Sequence, residues 1–171
     1  MTKKNVFDGA QHHDLAHLRP FQMTIGREDW SSAVDISFSW HCYTRTPDAG
    51  EDVYPLRDGN EVRCFCPVRY DHSKRLPAII SGIFDKTVYQ TGKGNYVCIE
   101  IVEADGSRYE YGVYFQLRKP GKGRPLKLFV ESAYPLATPG ERHYKPSNRQ
   151  KIRFRVLAYN IHRNRPITFK R

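Results

Sequence analysis

Between Asn95 and Leu136, apolar and polar side chains alternate through three consecutive runs: NYVCIEIVEADG, SRYEYGVYFQLRKP and LKLFVESAYPL. A period of two sends successive side chains to opposite faces and marks strands. Asp105-Gly106 is a hairpin signal, and KPGKGRP is a flexible basic turn. Strands that follow one another through short connections pair as an antiparallel meander, so a curved antiparallel sheet is the frame for the rest of the chain. The alternation puts Tyr109, Tyr111, Val113, Phe115 and Leu117 on one face, with Leu126, Leu128, Val130, Ser132 and Tyr134. A fourth strand is expected in QKIRFRVLAYNIHR, with Ile152, Phe154, Val156 and Ala158 on one side.

Upstream, AVDISFSWHCYT alternates as a half-buried strand. Val34, Ile36, Phe38, Trp40 and Cys42 face one way, and Asp35, Ser37, Ser39, His41 and Tyr43 face the other. VRCFCPV reads as a short strand closed by Pro67. One amphipathic helix follows: Leu76, Ile79, Ile80, Ile83 and Phe84 form a single stripe. It is expected to begin near Ser73, capped by Asp71 or Ser73, with Pro77 in its first turn. Residues 1–20 read as a short helix or mobile arm, and residues 160–171 as a basic tail. The expectation is one α+β domain over 1–171: a curved antiparallel β-meander of four or more strands, one amphipathic helix packed on it, and extra N-terminal strands.

At 171 residues such a domain can bury a core without metal or disulfides. Cys42, Cys64, Cys66 and Cys98 lie in apolar surroundings and are expected as buried free thiols. No apolar run reaches the roughly 18 residues of a membrane span, and the first residues lack the apolar core of a secretory signal. A cytoplasmic location is the expectation.

Charge narrows the function. Residues 1–115 carry 13 Lys/Arg against 16 Asp/Glu, a net of −3, whereas residues 116–171 carry 15 against 2, a net of +13. A field of that sign over one third of the chain suits a polyanion, RNA or other nucleic acid above all. Lys119, Lys122, Arg124, Lys127, Arg142, His143, Lys145, Arg149, Arg153 and Arg155 are the candidate nucleic-acid-binding residues. Tyrosines interleaved with them supply rings for stacked bases.

Zinc is not expected: His41-Cys42 would split across the two faces of a strand, and Cys64-x-Cys66 lacks the spacing of a zinc knuckle. His13 and His17 sit one helical turn apart with no third ligand evident, so no metal or cofactor is assigned. TGKGN at 91–95 is too short for a phosphate-binding loop and reads as a turn. Metal-free RNA cleavage needs a base for the 2′-hydroxyl, an acid for the leaving oxygen, and cations for the phosphorane. His41 is the candidate base or acid. Arg63 and Arg69 are candidate phosphate holders, Tyr70 or Tyr134 would stack a base or relay a proton, and Ser132 would orient the site. The loop ERHYK (Glu141–Lys145) gathers further acid, imidazole and cations.

A helix before an antiparallel meander, a basic C-terminal half and the late run LFVESAYP resemble the barnase/EndoU/colicin/RelE-like ribonucleases and toxins, over roughly Ser73–Ile161. Ser132 and Tyr134 are the positions that match. The resemblance implies a metal-independent endoribonuclease toxin or defence protein, of the kind phages and mobile elements carry, neutralised by an acidic antitoxin-like protein. Two alternatives stand beside it: a non-catalytic nucleic-acid-binding module, and a mobile-element protein that binds a host protein.

Overall fold

The computed structural model describes residues 4–104, 107–136 and 150–169. The Asp105-Gly106 turn and the ERHYK loop, with Arg142, His143, Lys145 and Arg149, lie outside the described residues.

The strands in chain order are β1 (Asn5–Phe7), β2 (His12–Asp14), β3 (Phe21–Arg27), β4 (Trp30–Phe38), β5 (Thr44–Arg45), β6 (Leu56–Asp58) and β7 (Glu61–Phe65). After the helices come β8 (Thr87–Gln90), β9 (Tyr96–Ala104), β10 (Ser107–Arg118), β11 (Leu126–Leu136) and β12 (Lys151–Arg153). Helix α1 spans Pro67–Ser73, α2 Leu76–Ser81 and α3 Phe154–His162. Seven strands form the main sheet in the order β12-β8-β9-β10-β11-β4-β3. Three strands of the predicted meander, β9 to β11, form its centre, and β8, which the sequence reading did not include, joins them on β9; all of these pairs are antiparallel. The β3–β4 hairpin extends it, but β4 joins β11 in parallel, so the sheet is mixed. Strands β5, β7 and β6 form a separate small sheet, and β1 and β2 pair as a hairpin.

One face of the main sheet is the core. Val34, Ile36, Tyr111, Val113, Phe115, Leu117, Leu126, Leu128 and Val130 are buried there with Leu76, Ile80 and Ile83. The predicted stripe is buried, but not on one helix: α2 ends at Ser81, Ile83 and Phe84 lie in a 3₁₀ turn, no side chain caps α2, and a separate helix precedes it. Pro67 opens α1 at its first turn, where its missing N–H costs nothing, rather than closing a strand. The helix then breaks before Leu76, because Pro77 cannot donate the next helical bond and restarts the turn as α2.

Four further expectations are corrected. Residues 154–162 are a helix, not a strand: Phe154, Leu157 and Ala158 are buried with Ile161 packed beside them, the i, i+3, i+4, i+7 spacing of a helix face. Only Lys151–Arg153 joins the sheet, on β8. Residues 4–20 are no mobile arm, since Val6, Leu15 and Leu18 are buried in the core, and the helical part is one 3₁₀ turn, Ala16–Leu18, beside the β1–β2 hairpin. The C-terminal residues are also tied down, with Ile167 and Phe169 packed against that core. Finally, β4 ends at Phe38, and Trp40–Cys42 form a 3₁₀ turn capped by Ser39, whose hydroxyl accepts from His41 N at 3.2 Å.

The four cysteines are free thiols, with Cys42, Cys64 and Cys98 buried and Cys66 half-buried. Among the described residues, no helix is long and apolar enough to cross a membrane.

Candidate nucleic-acid interface

Opposite α2 and α3, the outer face of β10, β11 and β4 is open, and α1 reaches only its far end. Regular alternation in β10 places Tyr114, Gln116 and Arg118 there, because Tyr111, Val113, Phe115 and Leu117 fill the core. Strand β11 reaches the same face by a different route. Its pairing steps from Phe115↔Val130 to Tyr114↔Ser132, so Glu131 is a bulged extra residue. The extra residue reverses the alternation beyond it. Leu126, Leu128 and Val130 face the core as expected, but Ser132 and Tyr134 turn outward and Ala133 takes the buried position. The uninterrupted period of two put all five on one side; the bulge splits them.

Three features follow along this face. At one end, Arg118 and Lys127 are paired directly across β10 and β11, both exposed, beside the basic turn that carries Lys122 and Arg124. Like charges directly opposite each other destabilise a sheet pair. Among the described residues neither has a carboxylate partner; Asp35, the register neighbour of Lys127 on β4, accepts from Gln22 at 2.8 Å. In the middle, Phe129 pairs with Gln116 and leaves 40% of its surface in water. At the far end, Tyr114 and Tyr134 stack with ring centres 5.4 Å apart, and the Arg69 guanidinium lies 4.7 Å over Tyr134. Lys127 to Tyr134 spans on the order of 20 Å at about 3.3 Å per residue.

Phe129 also forms part of the wall of a cleft of about 590 Å³, with Phe38, Trp40, His41, Arg57 and Glu61. His41 Nε2 lies 2.9 Å from Glu61 Oε1. Its backbone is fixed from two sides: Ser39 N donates to Val130 O at 2.8 Å, and Arg69 donates to His41 O at 3.1 Å. Glu61 is presented by a two-residue turn, Gly59-Asn60, in which Gly59 takes φ +55°, a conformation open to glycine at little cost. Burial raises the Glu61 carboxyl, but the hydrogen bonds from His41 and Arg63 outweigh it and leave the group below its usual value of 4.5.

The candidate catalytic residues are therefore not one constellation. Arg69, Ser132 and Tyr134 share the far end of the outer face. His41 stands in the adjoining cleft. Arg63 is 8% exposed and spent on structure, donating to Thr44 Oγ1 at 2.7 Å, to Thr44 O at 3.0 Å and to Glu61 at 3.1 Å. Tyr70 donates to Asp14 O at 3.0 Å and packs among His13, His17 and Phe65, away from Tyr134. Of the candidate cations, Lys127 lies on the face and Lys122 and Arg124 in its turn. Lys119 is tied to His162 O. Arg153 and Arg155 sit at the opposite edge of the sheet, bound to Asp85 O at 3.1 Å and Asp85 Oδ1 at 3.7 Å. Among the described residues, no cluster of His, Cys, Asp or Glu has the makings of a metal site.

Glu61, Arg57, Arg118 and Phe129 escaped the sequence reading. The last two were within reach: folding the strands about KPGKGRP sets Arg118 against Lys127 and Phe129 against Gln116. The partnership of Glu61 with His41 depends on a turn and a 3₁₀ bend that no alternation encodes.

The YjaZ family model matches residues 5–162, and the chain belongs to that family. No curated protein and no solved structure matches it.

Proposed function

We propose that this member of the YjaZ family binds single-stranded RNA on the outer face of β10 and β11. The observation that carries the reading is the Arg118–Lys127 pair: two exposed cations held face to face beside the exposed ring of Phe129. A phosphate between them relieves their repulsion, and a base stacked on Phe129 covers its ring. The basic turn supplies further phosphate contacts, and Tyr114, Tyr134 and Arg69 continue the surface. Fluorescence anisotropy of a labelled single strand across a salt series tests this. Binding that weakens steeply with salt and is weakened by Phe129→Ala supports it; salt-insensitive binding, or none, counts against it and favours a protein partner such as an acidic antitoxin-like chain.

A second reading, metal-independent endoribonuclease, is favoured by one observation: the His41–Glu61 pair stands in a cleft that shares Phe129 with the binding face. An imidazole oriented through Nε2 by a carboxylate leaves Nδ1 to take the 2′-hydroxyl proton, and Arg57 in the same cleft is a cation for phosphate. Ser132 and Tyr134, the positions behind the toxin resemblance, would then hold substrate rather than perform the chemistry. Cleavage of end-labelled RNA that resists EDTA and disappears in His41→Ala supports this reading. Intact RNA after prolonged incubation leaves a binding protein.

A further inference from the structure

The β8–β9 turn, with Tyr114, Ser132 and Tyr134, lines an open pocket of about 310 Å³. The turn is built to hold its shape. Thr91 N donates to Asn95 O at 2.9 Å, Lys93 N donates to Thr91 Oγ1 at 3.1 Å, and the Thr91 and Asn95 side chains bond each other. Both residues are buried, at 8% and 9% exposure. Gly94, at φ +76°, makes the reversal. Asn95 donates onward to Glu131, and Gln116 donates to the other oxygen of that carboxylate. Glu131 is thus committed to two amides and ties the turn to β11.

What remains in the pocket has a definite chemistry. The bulge that exposes Ser132 points its hydroxyl here, and that hydroxyl has no hydrogen-bond partner among the described residues. Lys93 brings an ammonium that forms no ion pair among the described residues. The stacked tyrosines give an aromatic wall, with Arg69 adding positive charge behind Tyr134. A ligand for this site is planar, able to hydrogen-bond at its edge, and anionic at one end. Bulges recur beside binding sites because they re-aim side chains, and the volume is at the lower end of small-molecule sites.

We infer that this pocket, between the β8–β9 turn and the bulge at Glu131, is a subsite for one nucleoside monophosphate unit: Tyr114 and Tyr134 contact the base, Ser132 its edge, and Lys93 the phosphate. The inference rests on the strand-binding reading only for where the nucleotide comes from, a bound strand rather than a free mononucleotide. It makes the chain selective among bases at one position of an otherwise unselective strand.

The test uses the full chain. AMP, GMP, CMP and UMP are titrated calorimetrically into the wild type, Lys93→Ala, Ser132→Leu and Phe129→Ala, and labelled homopolymers of about 10 nucleotides are bound to the same four proteins. Expected is one-to-one binding of at least one monophosphate, weakened about tenfold by Lys93→Ala, abolished by Ser132→Leu and unchanged by Phe129→Ala. The homopolymers should follow the same base preference, and the pocket variants should flatten it. Lys93 is exposed on a turn, so its alanine variant keeps the test valid if Ser132→Leu fails to fold. Monophosphate binding without strand retention supports the subsite and overturns the strand as its source. Strand retention with no monophosphate binding, and with the same base order in both pocket variants, overturns the subsite while leaving the strand-binding face standing.

Discussion

His41 and Arg63 meet on one atom: Glu61 Oε1 lies 2.9 Å from the His41 Nε2 and 3.1 Å from an Arg63 terminal nitrogen. The carboxylate couples a cleft side chain that is one-third exposed to a cation that is not. Arg63 in turn anchors on Thr44, so that carboxylate oxygen adds a side-chain link between the small β5-β7-β6 sheet and the His41 turn, beside the bond that Thr44 Oγ1 donates to Trp40 O at 2.8 Å.

Glu61→Gln should destabilise the fold at neutral pH by at most about 1 kcal/mol, since the group is partly exposed. The folded carboxyl sits below its usual 4.5, so its contribution is fully present above that value and is lost as pH falls through the folded value. Urea melts of the wild type and the variant from neutral to acid pH should therefore converge at the acid end. A gap that widens in acid would contradict the assignment.

Arg63→Ala removes a buried cation with three hydrogen bonds and leaves Thr44 and Glu61 short of donors. A loss of about 2–4 kcal/mol is expected in chemical denaturation. Arg63→Lys should recover little of it, because an ammonium cannot reproduce the guanidinium fork.

Phe129→Ala should leave the melting temperature nearly unchanged, as the ring is 40% exposed, and should weaken RNA binding by about 1–3 kcal/mol, the value of one stacked base. Lys127→Ala should instead lower the salt slope of log K by about 0.7, one phosphate contact on a single strand. Anisotropy titrations at several salt concentrations separate the two effects.

Residues 154–162 give a test of secondary structure by stability alone. Leu157 is fully buried and Val156 is 44% exposed. Leu157→Ala should cost about 2–5 kcal/mol and Val156→Ala under about 0.5 kcal/mol. A strand, with Val156 inward, would reverse the order.

Thiol labelling of the native chain at mildly alkaline pH should modify Cys66 first. Burial pushes Cys42 up to about 12 and raises Cys98 as well, so neither provides thiolate, and Cys64 is buried and raised in the same direction. Mass spectrometry of partly labelled protein reads the site directly.

The meander and the helical stripe were legible because each rests on one uninterrupted period. What escaped was wherever that period slips. A bulge at Glu131 leaves no mark in the sequence, yet it moves Ser132 and Tyr134 to the opposite face. In RFRVLAYNIH, Phe154 and Ala158 are buried under either period, so only the placement of Leu157 and Val156 separates helix from strand. Taken singly, Pro67 reads as a stop and Pro77 as a start; together they open two short helices in succession. His41 was singled out for its polar-side position on a strand. It is accessible for a different reason, a 3₁₀ turn capped by Ser39.

The parallel pairing of β4 with β11 also sets an order in time. Phe38 and Leu126 are joined by a connection of about ninety residues, and closing so long a loop must precede any gain from the contact. A ribosome delivers the β3–β4 hairpin long before β11, and a lone hairpin is marginal in water. The nascent chain therefore carries Val34 and Ile36 without their β11 partners until Leu126 and Leu128 have emerged, and its first third is committed to the native sheet only late in synthesis.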